Sequence, residues 1–450
     1  MIYLLIFALV VLFLISFLLE RDIVSPPCLL TISYLFSSFL LLYKAKEINY
    51  HIQENTVTIL VLGLVLFIVI YKMGTLIFSR YKFVIGSSAL NNKSINGFQY
   101  VSIDEAEYIT FGKKNYIIML VLEAVIFCLY LLFYIKAVNG LSLLSLSETV
   151  HYYRMKTSYG DGLNNAIPDI INQLKKISWA LTYLSIYVLL HNYILSKHKH
   201  KNNKILEKKY LIPAVLYFPL SLISGARSDF MIFGIYCIIL WVLLERHYSF
   251  RQSIKFRTLV KVIVIITIML VIFNNSKTIV GRVNDLSFFD YISLYFGAPI
   301  INLNEYLNTF VQDNYSIFGR EIFKSIYNLL EQLKFVKLES LSRTFVVING
   351  TNTGNVYTAY KYMFTAAGNS GIIAFQGLTA LFFSYVYTRF KNIKKYDFIN
   401  CKIIFYAAII HAIVFHPFSE FLFSTILSFN YFAFFLLLLS LRFFLTKVHI

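Results

Sequence analysis

The sequence predicts an all-α polytopic integral membrane protein with about eleven transmembrane helices (ten to twelve, depending on the weaker ends) and a large extracytoplasmic loop of short helices. Three observations carry that expectation. Of 450 residues, 58% are hydrophobic and only 14% charged, against roughly 25% charged in soluble domains. Mean hydropathy is +0.67. Apolar runs near the spanning length of roughly 17 to 25 residues recur from end to end. Such a chain cannot cover a water-facing surface, which excludes soluble enzymes, disordered scaffolds and secreted disulfide proteins. Cys28, Cys128, Cys237 and Cys401 stand singly within or beside apolar runs and read as small hydrophobes.

The runs cover residues 2–19, 26–43, 57–78, 116–135, 177–195, 210–224, 229–244, 259–273, 371–387, 399–415 and 421–445. The first has no basic leader, and Glu20, Arg21 and Asp22 follow it where small cleavage-site residues would stand, so it reads as a retained span. The sixth, seventh and eighth are short, and the last is long enough to contain a break near Asn430. Residues 1–450 read as a single polytopic membrane domain without a visible internal repeat.

The formal charge of +18 comes from 41 Lys+Arg against 23 Asp+Glu. In a soluble protein it would suit nucleic acid, but no recognition fold accompanies the basic runs. The densest one, Lys197, Lys199, Lys201, Lys204, Lys208 and Lys209, lies between two apolar segments and reads as an orientation signal. Loops 196–209, 245–258 and 388–398 are basic and should face the cytoplasm. Loops 44–56, 225–228 and 416–420 should face outward, which puts the N-terminus outside and the C-terminus, with Arg442 and Lys447, inside. Loop 79–115 has mixed charge and reads as cytoplasmic. Two outer loops stand out by length, 136–176 and 274–370. The larger holds Phe288, Phe289, Tyr291, Tyr295, Phe296 and Ile300, an apolar density that needs burial and implies short amphipathic helices on the outer face.

Only 12 of the basic residues are arginines, and five of them (Arg154, Arg227, Arg282, Arg320 and Arg343) fall on the outer side, where positive charge is disfavoured. A guanidinium there can grip a phosphate bidentately. Arg227 lies in the turn Ser224-Gly225-Ala226-Arg227-Ser228-Asp229, where backbone donors can add to it, or where it pairs with Asp229 or snorkels to lipid phosphate. Arg282 follows Gly281 just past the eighth span. Arg154 lies among His151, Tyr152 and Tyr153, which suits a sugar face or a phosphate and equally a solvated loop. Arg343 starts an Arg-x10-Gly spacing to Gly354 that composition alone produces about as often as not. In the last outer turn, His416-Pro417-Phe418-Ser419-Glu420 sets two titratable groups four apart. They fit a base and its orienter, or a capped turn with Glu420 at a helix start. His411 and Glu123 each fit a single interhelical hydrogen bond. No Walker A or B, HExxH, GxSxG or GxGxxG motif occurs. No metal site or cofactor is expected.

Three stretches then resemble one family, the Wzy-type polymerases of bacterial O-antigen and capsular oligosaccharide repeat units. They are Ser224 to Ser228, with its small-residue, Gly, Arg pattern; the aromatic Gly-x-Pro stretch from Asp290 to Ile300; and Asn355 to Thr358 with Ala367-Gly368-Asn369-Ser370-Gly371. The hydropathy plan matches over nearly the whole chain and the motifs over about a tenth of it. The acidic residue that the family tends to show near Gly368 is missing here. The resemblance implies a glycosyltransferase of the bacterial cytoplasmic (inner) membrane. It would polymerise undecaprenyl-pyrophosphate-linked oligosaccharide at the outer leaflet without metal. Arg227 and Arg282 would bind pyrophosphate, Arg154 and Arg343 pyrophosphate or glycan, and His416 or Glu420 would act as base. Membrane lipids, a flippase and a chain-length regulator are the partners such a system implies, and nucleic acid is not one. A lipid-linked oligosaccharide flippase or transporter, an O-antigen ligase and a structural membrane subunit stay open as alternatives.

Overall fold

In chain order the elements are α1 (Ile2–Glu20), α2 (Pro26–Glu47), α3 (Glu54–Arg80), the two-residue strands β1 (Ser94–Ile95) and β2 (Phe98–Gln99), α4 (Lys113–Ala137), α5 (Leu146–Tyr159), α6 (Asp169–His198), α7 (Ile212–Ile223), α8 (Arg227–Ser249), α9 (Phe256–Ile279), α10 (Phe288–Phe296), α11 (Ala298–Thr309), α12 (Lys324–Gln332), β3 (Val346–Ile348), β4 (Thr351–Gly354), α13 (Ala359–Lys391), α14 (Cys401–Ile409), α15 (His411–Val414) and α16 (Phe429–Thr446). The computed structural model describes residues 1–80, 94–95, 98–99, 107–138, 146–159, 167–199, 207–224, 227–249, 256–279, 286–309, 318–338, 345–391 and 399–446. Among these, eight helices are long and apolar enough to cross a membrane: α1, α2, α3, α4, α8, α9, α13 and α16. The chain is an all-α polytopic membrane protein. Leu4, Phe7, Leu14 and Leu18 on α1 and Ile263, Val264 and Ile268 on α9 are exposed, as side chains facing lipid must be.

Eight of the eleven expected runs map onto those helices. The run 177–195 lies in α6, whose apolar stretch is diluted by Ser178, Thr182, Ser185, His191 and Asn192. The run 210–224 is the twelve-residue α7, with Pro213 in its first turn and Pro219 inside it. The run 399–415 divides into α14 and α15. The expectation of short seventh and eighth spans is corrected: α9 has 24 residues and α8 has 23, because α8 continues through Arg227 and Asp229 at one end and Glu245 and Arg246 at the other. The break expected near Asn430 is a π-turn at Leu422–Ile426 that ends just before α16 starts at Phe429.

The residues form two compact units, one from Met1–Asn91, Leu286–Asn392 and Ile409–Tyr431, the other from Asn92–Asp285, Ile393–Ala408 and Phe432–Ile450. In the first, α3 packs along α13 through glycines that let the helices close up. A Cβ at Gly63 would lie 2.4 Å from Cε1 of Tyr360, and one at Gly74 would lie 2.2 Å from Oγ of Ser384. α2 starts at Pro26, where the missing N–H costs nothing. α10 starts on a capping box, with Ser287 Oγ accepting from the Asp290 amide at 3.2 Å and donating to its carboxylate at 2.6 Å. Asp290 also accepts from the Tyr43 hydroxyl of α2 at 2.7 Å. These bonds hold its carboxyl below the usual range, Ser287 first and Tyr43 second. At the α10–α11 corner a Cβ on Gly297 would lie 2.6 Å from the carbonyl carbon of Leu40, so only glycine lets the corner rest on the α2 backbone.

α11 is held by two buried asparagines. Asn302 bonds to Thr353 and to the carbonyl of Val356, and Asn304 takes the amide of Gln53 at 2.9 Å and the hydroxyl of Thr56 at 2.7 Å. Strands β3 and β4 form a hairpin, with Ile348 opposite Thr351, closed by Asn349 (φ 48°) and Gly350 (φ 78°). That two-residue turn has the backbone that Asn-Gly favours. α13 is broken at Ala367 (φ −159°, ψ 34°) and Gly368 (φ 59°, ψ −142°), a conformation glycine adopts without strain.

In the second unit, the buried positions of α4 include Tyr116, Met119, Glu123, Ile126, Tyr130 and Ala137. Gaps of three and four recur along them, as in a coiled-coil seam. The seam meets α6, which also packs on α7 and α8. Trp179 of α6 stacks on Phe434 at 4.0 Å and Tyr183 lies 4.2 Å from Tyr236 of α8.

Candidate functional site

The first unit carries an enclosed polar network in its apolar interior. Tyr34 comes from α2, Tyr360 and Gln376 from the two arms of α13, and His416 from the turn after α15. The Tyr34 hydroxyl lies 2.8 Å from Nδ1 of His416, whose Nε2 lies 3.0 Å from Oε1 of Gln376. Gln376 Nε2 donates to the Tyr360 hydroxyl at 3.3 Å. A carbonyl oxygen only accepts, so Nε2 of His416 carries the proton. Burial pushes the His416 pKa down to about 3, so the ring is neutral and Nδ1 accepts from Tyr34. The His416 carbonyl takes the amide of Ala359 at 2.9 Å, fixing the start of α13.

Glu420 lies in the same turn but does not pair with His416. Its carboxylate accepts the amides of Phe423 and Ser424, each at 2.8 Å, where the π-turn before α16 opens. Burial pushes its pKa up to about 7, and those amide bonds pull it part of the way back. The base-and-orienter pairing is therefore corrected: Tyr34 and Gln376 occupy the imidazole and the turn's amides occupy the carboxylate. A histidine that titrates near 3 is a poor base at neutral pH, whereas a carboxyl that titrates near 7 is matched to the task.

A second cluster lies where α11, the turn before α12 and the first arm of α13 meet. Lys361 pairs with Glu321 at 2.6 Å, and its ammonium lies 5.1 Å from the ring of Tyr306, 5.4 Å from Tyr357 and 5.3 Å from Tyr362. Tyr306 also bonds to Thr365 at 2.8 Å. Burial pushes the Tyr306 hydroxyl up to about 12, keeping it a neutral donor. Half-buried tyrosine faces beside a cation and a carboxylate are the groups that grip a sugar ring.

In the second unit Arg227 opens α8. Its side chain is 4% exposed, and the guanidinium lies 4.7 Å over the Phe273 ring of α9. Asp229, two residues on, accepts from Ser221 of α7 at 2.6 Å. Lys175 of α6 stands over Tyr130 at 5.3 Å and Tyr217 at 6.0 Å. Stacking of this kind fixes the plane of a guanidinium. Arg154 belongs to α5, which packs on α9, though its side chain lies outside the described residues. Arg282 and Arg343 also lie outside them. Gly354, the partner of Arg343 in the Arg-x10-Gly spacing, ends β4 with φ 87°, a local reason for glycine.

Thus Arg227 stands in one unit and His416 and Glu420 in the other. Tyr34, Tyr360, Gln376, Glu321 and Lys361 were not singled out in the sequence. A polar residue inside an apolar run, as Tyr34 and Gln376 are, was the available signal. Searches against protein-family models, curated proteins and solved structures return no match.

Proposed function

We propose that the chain polymerises undecaprenyl-pyrophosphate-linked oligosaccharide repeat units at the outer leaflet of the bacterial cytoplasmic membrane, spanning it about eleven times and acting without metal. The observation that carries this reading is Arg227, a buried guanidinium at the start of a membrane-spanning helix, set against Phe273. Charge at the end of a spanning helix often marks a functional site, and a guanidinium matches the geometry of a pyrophosphate leaving group. The acceptor sugar hydroxyl attacks the anomeric carbon of the donor chain, the bond from that carbon to the pyrophosphate oxygen breaks, and the hydroxyl proton passes to a base. Arg227, with Arg282, Arg154 and Arg343, stabilises the charge on the departing pyrophosphate. Glu420 is the preferred base and His416 the alternative. Tyr306, Tyr357 and Lys361 add a surface for the glycan, and grooves between apolar helices take the prenyl chains.

The test is the length of surface glycan in cells whose own copy is deleted. Arg227→Ala and Arg282→Ala should leave single repeat units, and full-length polymer from either variant would refute the pyrophosphate assignment. The transporter reading has one observation in its favour, the buried Glu123 of α4. A flippase null would strand its units on the cytoplasmic leaflet, where a polymerase null leaves them outside.

A further inference from the structure

Glu123 lies near the middle of α4 and is 1% exposed. Neither carboxylate oxygen has a hydrogen-bond partner among the described residues. Ser178 of α6 faces it across the seam without completing a bond to it. Two turns back on α4, Tyr116 faces Ser185, and two turns forward Tyr130 meets Lys175. The helices therefore run antiparallel, with α4 rising in number as α6 falls. Ser178, Thr182 and Ser185 share one face of α6 by spacing. All three are fully buried, and their hydroxyls also lack partners among the described residues. Glu123, Ser178 and Thr182 thus put a carboxylate and two hydroxyls within about one helical turn of each other, inside a membrane protein where an uncompensated carboxylate is costly.

Among the described residues no cation pairs with the carboxylate. Of the titratable groups on the packed elements, Tyr116 of α4 interacts with it, whereas Tyr130, Lys175 and Tyr217 interact with Asp229 of α8. The Lys175 ammonium is drawn to the Asp229 carboxylate and lies over the rings of Tyr130 and Tyr217, and Tyr116 donates to the carbonyl of Lys209 at 2.9 Å.

We propose that this seam is a binding site for one small monovalent cation, a proton or a sodium ion, carried on the Glu123 carboxylate with the hydroxyls of Ser178 and Thr182 turned toward it. Oxygen ligands of this kind suit a hard cation, and the site does not depend on what reaction the protein performs. The full-length protein, purified into nanodiscs, is tested in two arms. In the first, heat unfolding is followed as sodium chloride replaces choline chloride. If sodium is the occupant, the wild-type midpoint rises and Glu123→Gln removes the rise. Thr182→Val, which keeps the carboxylate and the volume, then raises the sodium concentration for half-effect about tenfold, through the loss of one oxygen ligand. In the second, infrared difference spectra are taken across the pH range in which the protein stays folded. If the proton is the occupant, a protonated-carboxyl band disappears with rising pH in wild type, is shifted in Thr182→Val and is missing in Glu123→Gln. Wild-type protein that shows neither a sodium-dependent midpoint nor a titrating carboxyl band altered by Thr182→Val would overturn the proposal.

Discussion

Glu420 is a carboxyl whose fold favours the protonated form, since its pKa stands near 7 against an ordinary 4.5. Its contribution to stability is complete below about 4.5 and is lost as pH rises through about 7. Heat unfolding of the wild type should therefore fall in midpoint between mildly acid and mildly alkaline buffer, and Glu420→Gln should flatten that slope. If Glu420 is also the base, polymer formation needs its ionised form and rises with pH through the same range, a limb the glutamine variant lacks. Arg227 calls for a different contrast. Arg227→Lys keeps the charge but loses the planar fork and much of the stacking on Phe273, so it should retain less than about a tenth of wild-type polymer, as measured by glycan ladder. Full activity in the lysine variant would argue that charge alone suffices. Both residues were legible in the sequence as charges in short turns between apolar runs. Tyr34 and Gln376, the partners that decide what His416 can do, come from helices far away in the chain, and no spacing announces them.

Among the elements, glycines mark where packing is least forgiving. Gly297→Ala would drive a methyl against the Leu40 carbonyl, and a backbone neighbour cannot rotate away. The α10–α11 corner must lift from α2, with a loss of about 1 to 3 kcal/mol that a fall in melting temperature would register. This gives the aromatic Gly-x-Pro stretch a packing role whatever the reaction. Helix existence was legible from apolar runs, but helix ends were not. Counting stopped at charges such as Arg227 and Glu245, whereas α8 continues through them because a helix end tolerates charge. The hairpin at Asn349-Gly350 was announced by its turn dipeptide and was passed over inside a loop expected to hold only helices. The long loop reading of 136–176 likewise absorbed α5 and the first turns of α6, whose polar residues hide them from hydropathy.

For the molecule as a whole, composition alone gave the membrane class, while the charge of +18 became informative only once each cation was placed on a topology. That topology is open to direct test. With the native cysteines replaced, a cysteine at Lys199 should react with impermeant reagent only after the membrane is broken, and one at Lys324 should react in intact cells. Labelling of position 199 from outside would invert the scheme.

The spanning helices also differ in length. At 1.5 Å per residue, α1 and α16, with 19 and 18 residues, run about 28 and 27 Å. α3, with 27 residues, runs about 40 Å. A hydrocarbon core is about 30 Å thick, so the short helices fill it only when nearly upright and the long one only when tilted or protruding. Thicker bilayers would drag the ends of α1 and α16 below the headgroups, while thinner ones would expose more of α3. The unequal helices thus give the protein a preferred bilayer thickness, and the acyl-chain length of its host lipids becomes a control on its stability.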